Sequence, residues 1–334
     1  MKKLFLICVN LCNLWIILSF VGCREKAKPA SAEKKPLVLA TIFPAYDWAK
    51  NLVGASGAFD VELLLKDGVD MHSYQPSAAD IVKISTADIF IYVGGESDEW
   101  VTKALENASN DKMIVINLMK MLNGFLKQEE VVEGMQIEQD TELPEVALHQ
   151  HGEEDSDDDD DEIEYDEHIW LSLNSAIASS NEIARALMEK DEAHSSMYMA
   201  NLVSYVDKLA SLKNEYMSSF SDKTIIVCDR FPFRYLTDEF GIKYYAAFLG
   251  CSAETEASFE TIAFLSVKLH DLNLPTVFVT ESADKKIAKT VVSSSGVKDC
   301  KITVLDSMQS TTQKQANKGA NYLDIMRNNL EALK

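Results

Sequence analysis

Two histidines and one aspartate stand where a metal-binding site could form. His72 lies in a loop just past an apolar run (61–65), and His168 directly follows a run of acidic residues. Asp306 ends another apolar run (301–305). Neutral imidazole and carboxylate are ligands that suit zinc and, with more oxygen, manganese. Taken singly, each residue is also typical of a surface loop or a turn. The secondary structure around these residues must therefore decide between a metal site and an ordinary loop.

Apolar runs alternate with helical stretches along the chain. The expected strands are 37–42, 61–65, 88–93, 113–117, 224–228, 243–248, 276–280 and 301–306. Helices are expected between them, with 258–271, 284–292 and 321–333 in the second half. This alternation predicts parallel sheets, which bind ligands beyond the carboxyl ends of their strands. His72 and Asp306 occupy that place.

A long stretch without Pro or Gly (191–219) separates the two halves. Its apolar residues recur at steps of three and four, which predicts a helix about 44 Å long at 1.5 Å per residue. The expected fold is therefore α/β, with two lobes of parallel-sheet αβ units joined by one long interdomain helix. We place the lobes at 37–174 and 221–334, and the helical segment at 175–220.

The N-terminus has the pattern of a secretory signal, with two lysines followed by an apolar run (4–21). The segment FVGC (20–23) resembles a bacterial lipobox, so residues 1–22 are expected to be removed and Cys23 to carry lipid. Residues 23–36 would then form a flexible tether. An uncleaved signal anchor is the alternative. Either outcome places the remaining chain outside the cytoplasm, tethered to a bacterial membrane.

The formal net charge of −21 comes largely from one acidic loop (149–167). Residues 153–167 alone contain twelve acids, a run that is solvated, attracts cations and argues against a nucleic-acid partner. With His149 and His151, this loop could collect cations weakly. A purely solubilising surface run is the alternative.

Three of the six cysteines belong to the signal segment and the lipobox. The other three would lie in an oxidising compartment, where one disulfide and one spare thiol fit the count. We expect Cys251 and Cys300 to pair, because both sit beside strands of the second half. Cys228, the last residue of an apolar strand, is expected to be buried.

Enzyme motifs do not account for the sequence. It contains no G-x-x-x-x-G-K-[ST] phosphate loop, no G-x-S-x-G nucleophile elbow and no H-E-x-x-H helix. His194 and His270 lie in helical stretches and are expected to be surface or packing residues. We therefore expect a binding protein and not an enzyme.

Residues 37–334 resemble the zinc/manganese solute-binding proteins of ABC importers, the ZnuA-like cluster A-I family. The segments that carry the resemblance are ATIFPAYDWAKNLVG (40–54), MHSYQPSAADI (71–81), ADIFIYVGG (87–95), the acidic insertion, DEHIWLSLNSA (166–176) and NYLDIMRNNLEAL (321–333). The family fold has two αβ lobes bridged by a long helix, with metal in the cleft. The resemblance implies a monomer that binds zinc, or alternatively manganese, and delivers it to a membrane permease.

The resemblance also implies a set of ligands. His72 and His168 take the family's first and second ligand positions, and Asp306 takes the fourth. Arg230 stands at the third position, where the family has His or Glu, and a guanidinium cannot bind a cation. Arg230 is expected to orient a carboxylate such as Asp306 from behind the metal. A carboxylate is expected to replace the third ligand, and the candidates are Asp229, Glu254 and Glu256.

These observations favour capture of zinc outside the cytoplasm and its delivery to an ABC importer. Arg230 keeps two alternatives open. One is a metal-independent surface adhesin, and the other is a receptor for an anion or a metal chelate that pairs with the guanidinium. A site completed by two carboxylates would favour manganese over zinc.

Overall fold

Four short strands in the first half of the chain form a parallel sheet. The computed structural model describes residues 35–106, 108–136, 164–252 and 256–334, and Pro36–Lys334 form one compact unit. The strands are β1 (Leu37–Ala40), β2 (Asp60–Leu63), β3 (Ile89–Tyr92) and β4 (Ile114–Asn117), in the order β2-β1-β3-β4. β1 is buried throughout and β3 is buried except at its last residue, as expected for central strands of a covered parallel sheet.

The second half of the chain repeats this arrangement. Its strands are β5 (Thr224–Phe231), β6 (Lys243–Leu249), β7 (Thr276–Thr280) and β8 (Lys301–Leu305), parallel and in the order β6-β5-β7-β8. Val227 pairs with Ala246 but Arg230 pairs with Phe248, so β5 contains one extra residue at a bulge. A bulge changes the direction of the side chains that follow it.

Helices separate the strands along the chain. They are α1 (Phe43–Val53), α2 (Ala78–Ser85), α3 (Trp100–Glu106), α4 (Leu118–Met121), α5 (Leu173–Lys190), α6 (Ser195–Ser219), α7 (Arg234–Phe240), α8 (Phe259–Leu272), α9 (Lys286–Ser295), α10 (Gln313–Asn317) and α11 (Tyr322–Leu333). Several begin at side-chain caps: Ser77 caps α2, and Ser258 caps α8. Single 3-10 turns at Met71–Ser73, Glu96–Asp98 and Ile169–Leu171 lie beside the site described below.

The long helix α6 contacts both halves of the molecule. Near its start, Asn201 Nδ2 donates to the Leu52 carbonyl of α1 at 2.8 Å. Near its end, the Tyr216 hydroxyl donates to the Met326 carbonyl of α11 at 2.6 Å. The helix begins later than residue 191 because the Asp191 carboxylate accepts hydrogen bonds from local side chains, which compete with helix continuation.

The structure confirms the expected α/β class, with two parallel sheets and a long helix that links them. The signal segment, the lipobox and residues 137–163 of the region around the acidic loop lie outside the described residues. Within the described ranges, no helix is both long and apolar enough to cross a membrane.

Removing the Tyr216 hydroxyl is expected to weaken the contact between α6 and α11. In Tyr216→Phe a hydrogen bond between buried groups is lost, so the free energy of unfolding should fall by about 1 kcal/mol. Urea denaturation followed by circular dichroism measures the change. Tyr165→Phe removes the hydroxyl of an exposed ring and is the control. Equal losses in both variants would contradict the role assigned to Tyr216.

Candidate metal centre

A tight turn after β2 presents His72. Asp70 Oδ1 accepts the backbone N–H of His72 at 3.2 Å and so caps the 3-10 turn Met71–Ser73. On the ring, Nδ1 lies 2.7 Å from Ser97 Oγ and 3.5 Å from Glu167 Oε2. The Ser97 hydroxyl holds Nδ1, with the Glu167 carboxylate nearby, which leaves Nε2 on the other side of the ring to face the interior.

His168 is completely buried. Asp166 Oδ1 accepts the backbone N–H of His168 at 2.8 Å and lies 3.0 Å from the ring Nδ1. The ring packs edge-on against Trp170, with 5.2 Å between centroids. An ionised carboxylate only accepts hydrogen bonds, so Asp166 favours a proton on Nδ1 and leaves the Nε2 lone pair free for a cation.

The Nε2 atoms of the two rings face each other. The distance from His72 Nε2 to His168 Nε2 is 3.3 Å. Two nitrogen ligands of a tetrahedral zinc ion, each at about 2.0–2.1 Å from the metal, lie about 3.3–3.4 Å apart. The two imidazoles therefore already have the separation that one zinc ion requires.

Gln309 lies against both imidazoles, which the sequence did not lead us to expect. Its Nε2 is 2.9 Å from His168 Nε2 and 3.1 Å from His72 Nε2. A half-turn of the amide exchanges its nitrogen and oxygen, so the same side chain can offer a carbonyl oxygen to a cation. Met308, in the left-handed region at φ 64°, turns the chain toward the cluster. The only sequence signal was the place of Gln309, four residues past the carboxyl end of β8.

Cys251 also lies at this cluster, although the sequence analysis assigned it to a disulfide. Among the described residues, His72, His168 and Cys251 each have a ligand atom, and the three atoms lie within 4.8 Å of one another. Cys251 follows the carboxyl end of β6, beyond Gly250. The same strand-end rule that selected His72 could have selected Cys251, had it not been assigned to a disulfide.

The expected disulfide between Cys251 and Cys300 is wrong, because both are free thiols in the structure. Cys251 follows the end of β6, whereas Cys300 precedes the start of β8. These strands are the two outer strands of a four-stranded parallel sheet. Three strand spacings of about 4.8 Å separate them, which exceeds the distance of about 7 Å that a disulfide allows between Cα atoms.

The carboxylates expected at the third and fourth positions are directed elsewhere. Asp229 accepts backbone N–H groups through both oxygens, at 2.9 and 3.1 Å. Glu256 is exposed, and Glu254 lies outside the described residues. Asp306 Oδ1 accepts a backbone N–H at 2.8 Å, and burial, together with the neighbouring Glu281, raises its pKa to about 6. None of these described carboxylates belongs to the set of three close ligand atoms, and their role as ligands stays a prediction.

Arg230 pairs with Asp70 and not with Asp306. Arg230 Nη1 lies 2.9 Å from Asp70 Oδ2, and the other oxygen of the same carboxylate holds the His72 backbone. Arg230, a residue of the second half, thus contacts the His72 turn through the side chain of Asp70. Arg230 directly follows the bulge in β5, which changes the direction of the side chains beyond it.

An acidic cavity of about 560 Å³ adjoins the cluster, with His72 and Cys251 in its wall. Five glutamates also line it: Glu96, Glu99, Glu129, Glu164 and Glu167. Such a wall raises the local concentration of cations. His149 and His151, the proposed collecting residues of the acidic loop, lie outside the described residues.

The surroundings of the two imidazoles shift their pKa values in opposite directions. Burial, followed by the neighbouring His168, lowers the pKa of His72. Burial also opposes protonation of His168, but Asp166 and nearby glutamates outweigh it and raise the pKa above its ordinary value of 6.5. Burial, followed by Glu129, raises the pKa of the Cys251 thiol. A bound cation reverses such a shift because it favours the thiolate.

Comparison with known proteins identifies the family of this chain and agrees with its fold. The chain belongs to the family described as zinc-uptake complex component A, periplasmic, whose model matches residues 38–334. The zinc-binding lipoprotein AdcA of Streptococcus pneumoniae is 30% identical over 339 residues, a match that covers all of this chain and 61% of AdcA. The chain therefore spans less than two thirds of that relative.

Two further relatives match over most of their own length. The high-affinity zinc uptake system protein ZnuA of Bacillus subtilis is 27% identical over 322 residues, which covers 95% of this chain and 93% of ZnuA. The crystal structure of the Zn(II)-bound ZnuA-like domain of Streptococcus pneumoniae AdcA has a TM-score of 0.66 and 27% identity. That match covers 90% of this chain and 97% of the domain.

Metal affinity is expected to fall with decreasing pH, because a proton competes with the metal for His168 Nε2. Since the pKa of His168 is raised, the loss should begin above the pH at which an ordinary histidine titrates. Asp166→Asn removes the carboxylate that favours the proton, so its loss of affinity should shift to lower pH. Competition with a chromophoric chelator between about pH 5 and 8 measures both curves. Curves of identical midpoint would contradict this account.

Asp70→Asn is expected to weaken zinc binding by about tenfold or more, on the scale of lost outer partners of a metal ligand. Asparagine can still accept the His72 N–H, but the guanidinium of Arg230 is left without its counter-charge beside the site. The double variant Asp70→Asn/Arg230→Gln removes that cation and should recover most of the affinity. Isothermal titration of the two variants is decisive, since failure of the second substitution to rescue the first would refute the electrostatic explanation.

Proposed function

We propose that this protein captures one zinc ion between its two halves, outside the cytoplasm, and delivers it to the permease of an ABC importer. The observation that carries the proposal is the pair of imidazole nitrogens 3.3 Å apart. Each ring is held at its other nitrogen by an oxygen, so both lone pairs converge on one point. A cation at that point turns the repulsion between the lone pairs into two favourable bonds.

The donor set and the names of the relatives both support zinc as the cargo. Two imidazoles in a tetrahedral spacing suit zinc well, and the acidic cavity supplies a negative approach to them. The relatives compared above are named a zinc-binding lipoprotein and a zinc uptake protein. Manganese is the alternative cargo, and it would call for more oxygen ligands than the described cluster offers.

The proposed location is the outer side of a bacterial membrane. The family description is periplasmic, and one relative is named a lipoprotein. Cys23 in the FVGC segment is the proposed lipid attachment site, and residues 23–36 the tether. On this proposal the protein is a carrier and not an enzyme, with the membrane permease as its partner.

Replacing either central histidine is expected to abolish stoichiometric zinc binding. One zinc per chain should be found by elemental analysis of the zinc-loaded protein, and none should remain in His72→Ala or His168→Ala. His194→Ala is the matched control, because that imidazole is partly exposed and bonded to Asp191 away from the cluster.

Delivery is tested by the same variants in cells that depend on this protein for growth on limiting zinc. The wild type and His194→Ala should support growth, and the two site variants should not. A wild-type protein that holds no zinc after loading, or a His72→Ala protein that binds it unchanged, would sink the proposal.

A further inference from the structure

The two histidines provide only half of the ligands that a tetrahedral zinc ion takes. The structure offers one more donor of high affinity for zinc at the same place, the thiol of Cys251. Its Sγ belongs to the set of three ligand atoms that lie within 4.8 Å of one another. In a tetrahedral site with a zinc–sulfur bond of about 2.3 Å, sulfur and nitrogen lie about 3.6 Å apart. The distances from the thiol to the imidazoles therefore exceed the zinc-bound value by at most about 1.2 Å.

The chain is built to bring Cys251 against the buried imidazole. Gly250 precedes it, and a Cβ at this position would lie 2.9 Å from the Phe231 carbonyl and 3.1 Å from His168 Cε1. The backbone between β6 and the loop thus runs directly along the His168 ring, which only glycine permits at this distance. As a consequence, the next residue stands at the wall of the cavity that also contains His72.

Other candidates for this coordination position are engaged elsewhere. Arg230, at the place where resemblance implies a third ligand, is bound to Asp70 at 2.9 Å. Asp229 uses both carboxylate oxygens for backbone N–H groups. Cys251 is hydrogen-bonded to Glu129, another residue of the cavity wall. Gln309 also lies against both imidazoles, but it offers zinc only a neutral amide oxygen. Within the described chain, Cys251 is the thiol that shares the set of close ligand atoms with both imidazoles.

We propose that the Cys251 thiolate is the third protein ligand, and that the resulting nitrogen–sulfur site selects zinc against manganese. The inference rests on the proposed function, since it concerns the same cargo. As the metal–sulfur bond forms, the S–H bond breaks and its proton passes to Glu129 and on to water, with no change of oxidation state. Thiolate strongly favours zinc, whereas manganese prefers oxygen ligands and is the weaker binder in the divalent series.

Cobalt(II) is the probe that reports a thiolate ligand directly. The full chain, kept reduced and loaded with cobalt, should show a sulfur-to-cobalt charge-transfer band in the near ultraviolet. Cys251→Ser should lose this band and keep the weaker d–d absorption of the histidine-bound ion. Cys300→Ser, which alters a cysteine beside β8 at the far edge of the sheet, is the matched control and should retain the band.

Zinc and manganese titrations supply the second readout. Cys251→Ser should weaken zinc binding by more than the roughly 10–100-fold that loss of an outer partner costs. Manganese binding should change much less, so the preference of the site for zinc over manganese should become smaller. Cys251→His should restore tight zinc binding without the charge-transfer band, which shows that the variant site is still folded.

The outcomes separate this inference from the proposed function. If the wild type binds zinc but shows no charge-transfer band, or if Cys251→Ser binds zinc as tightly as the wild type, the thiolate proposal is overturned and the carrier proposal stands. If the wild type binds neither zinc nor cobalt, both proposals fail. Loss of the band in Cys300→Ser with retention in Cys251→Ser would also overturn the assignment.

Discussion

The rest of the site depends on one electrostatic constraint, the approach of two imidazole Nε2 atoms to 3.3 Å. When both nitrogens act as acceptors they repel each other, and the Gln309 amide lies within hydrogen-bond distance of both. The fold also holds each ring from behind, with Ser97 at His72 and Asp166 at His168. These partners fix the orientation of the rings before any cation arrives, which lowers the reorganisation that binding requires.

The parallel sheets explain how distant parts of the chain can meet this constraint. Strand ends deliver the cluster: His72 follows β2, Ser97 follows β3, Cys251 follows β6 and Gln309 follows β8. In a parallel sheet all carboxyl ends lie at the same edge, and the two sheets share the same strand order. The ion pair between Arg230 and Asp70 then ties an element of the second half to the His72 turn.

Much of the architecture could be predicted from local patterns. Alternating apolar runs located the strands, and the strand-end rule singled out His72 as a residue of the cluster. The parts that failed are contacts between distant residues. Arg230 pairs with Asp70 and directly follows a bulge in β5, which apolar periodicity does not encode.

The positions of Gln309 and Cys251 beside the histidines were not predicted, for related reasons. Gln309 reaches the histidines because Met308, directly before it, adopts a left-handed backbone conformation. No glycine stands there to indicate that conformation in the sequence. Cys251 was assigned to a disulfide because three cysteines fit one bridge and because Cys251 and Cys300 both sit beside expected strands. Cys251 and Cys300 lie at opposite edges of the sheet, and only the strand order shows this.

The unequal exposure of the two imidazoles also determines the order of events when an ion arrives. The His72 side chain is 12% exposed and lines the cavity, whereas His168 has no contact with solvent. If the protein carries zinc as proposed, an ion from solution would meet His72 first, while still partly hydrated, and would have to lose further water before His168 could bind it. Dehydration at the partly exposed His72 would then govern the rate of capture, and the bond to the buried His168 would govern the rate of escape.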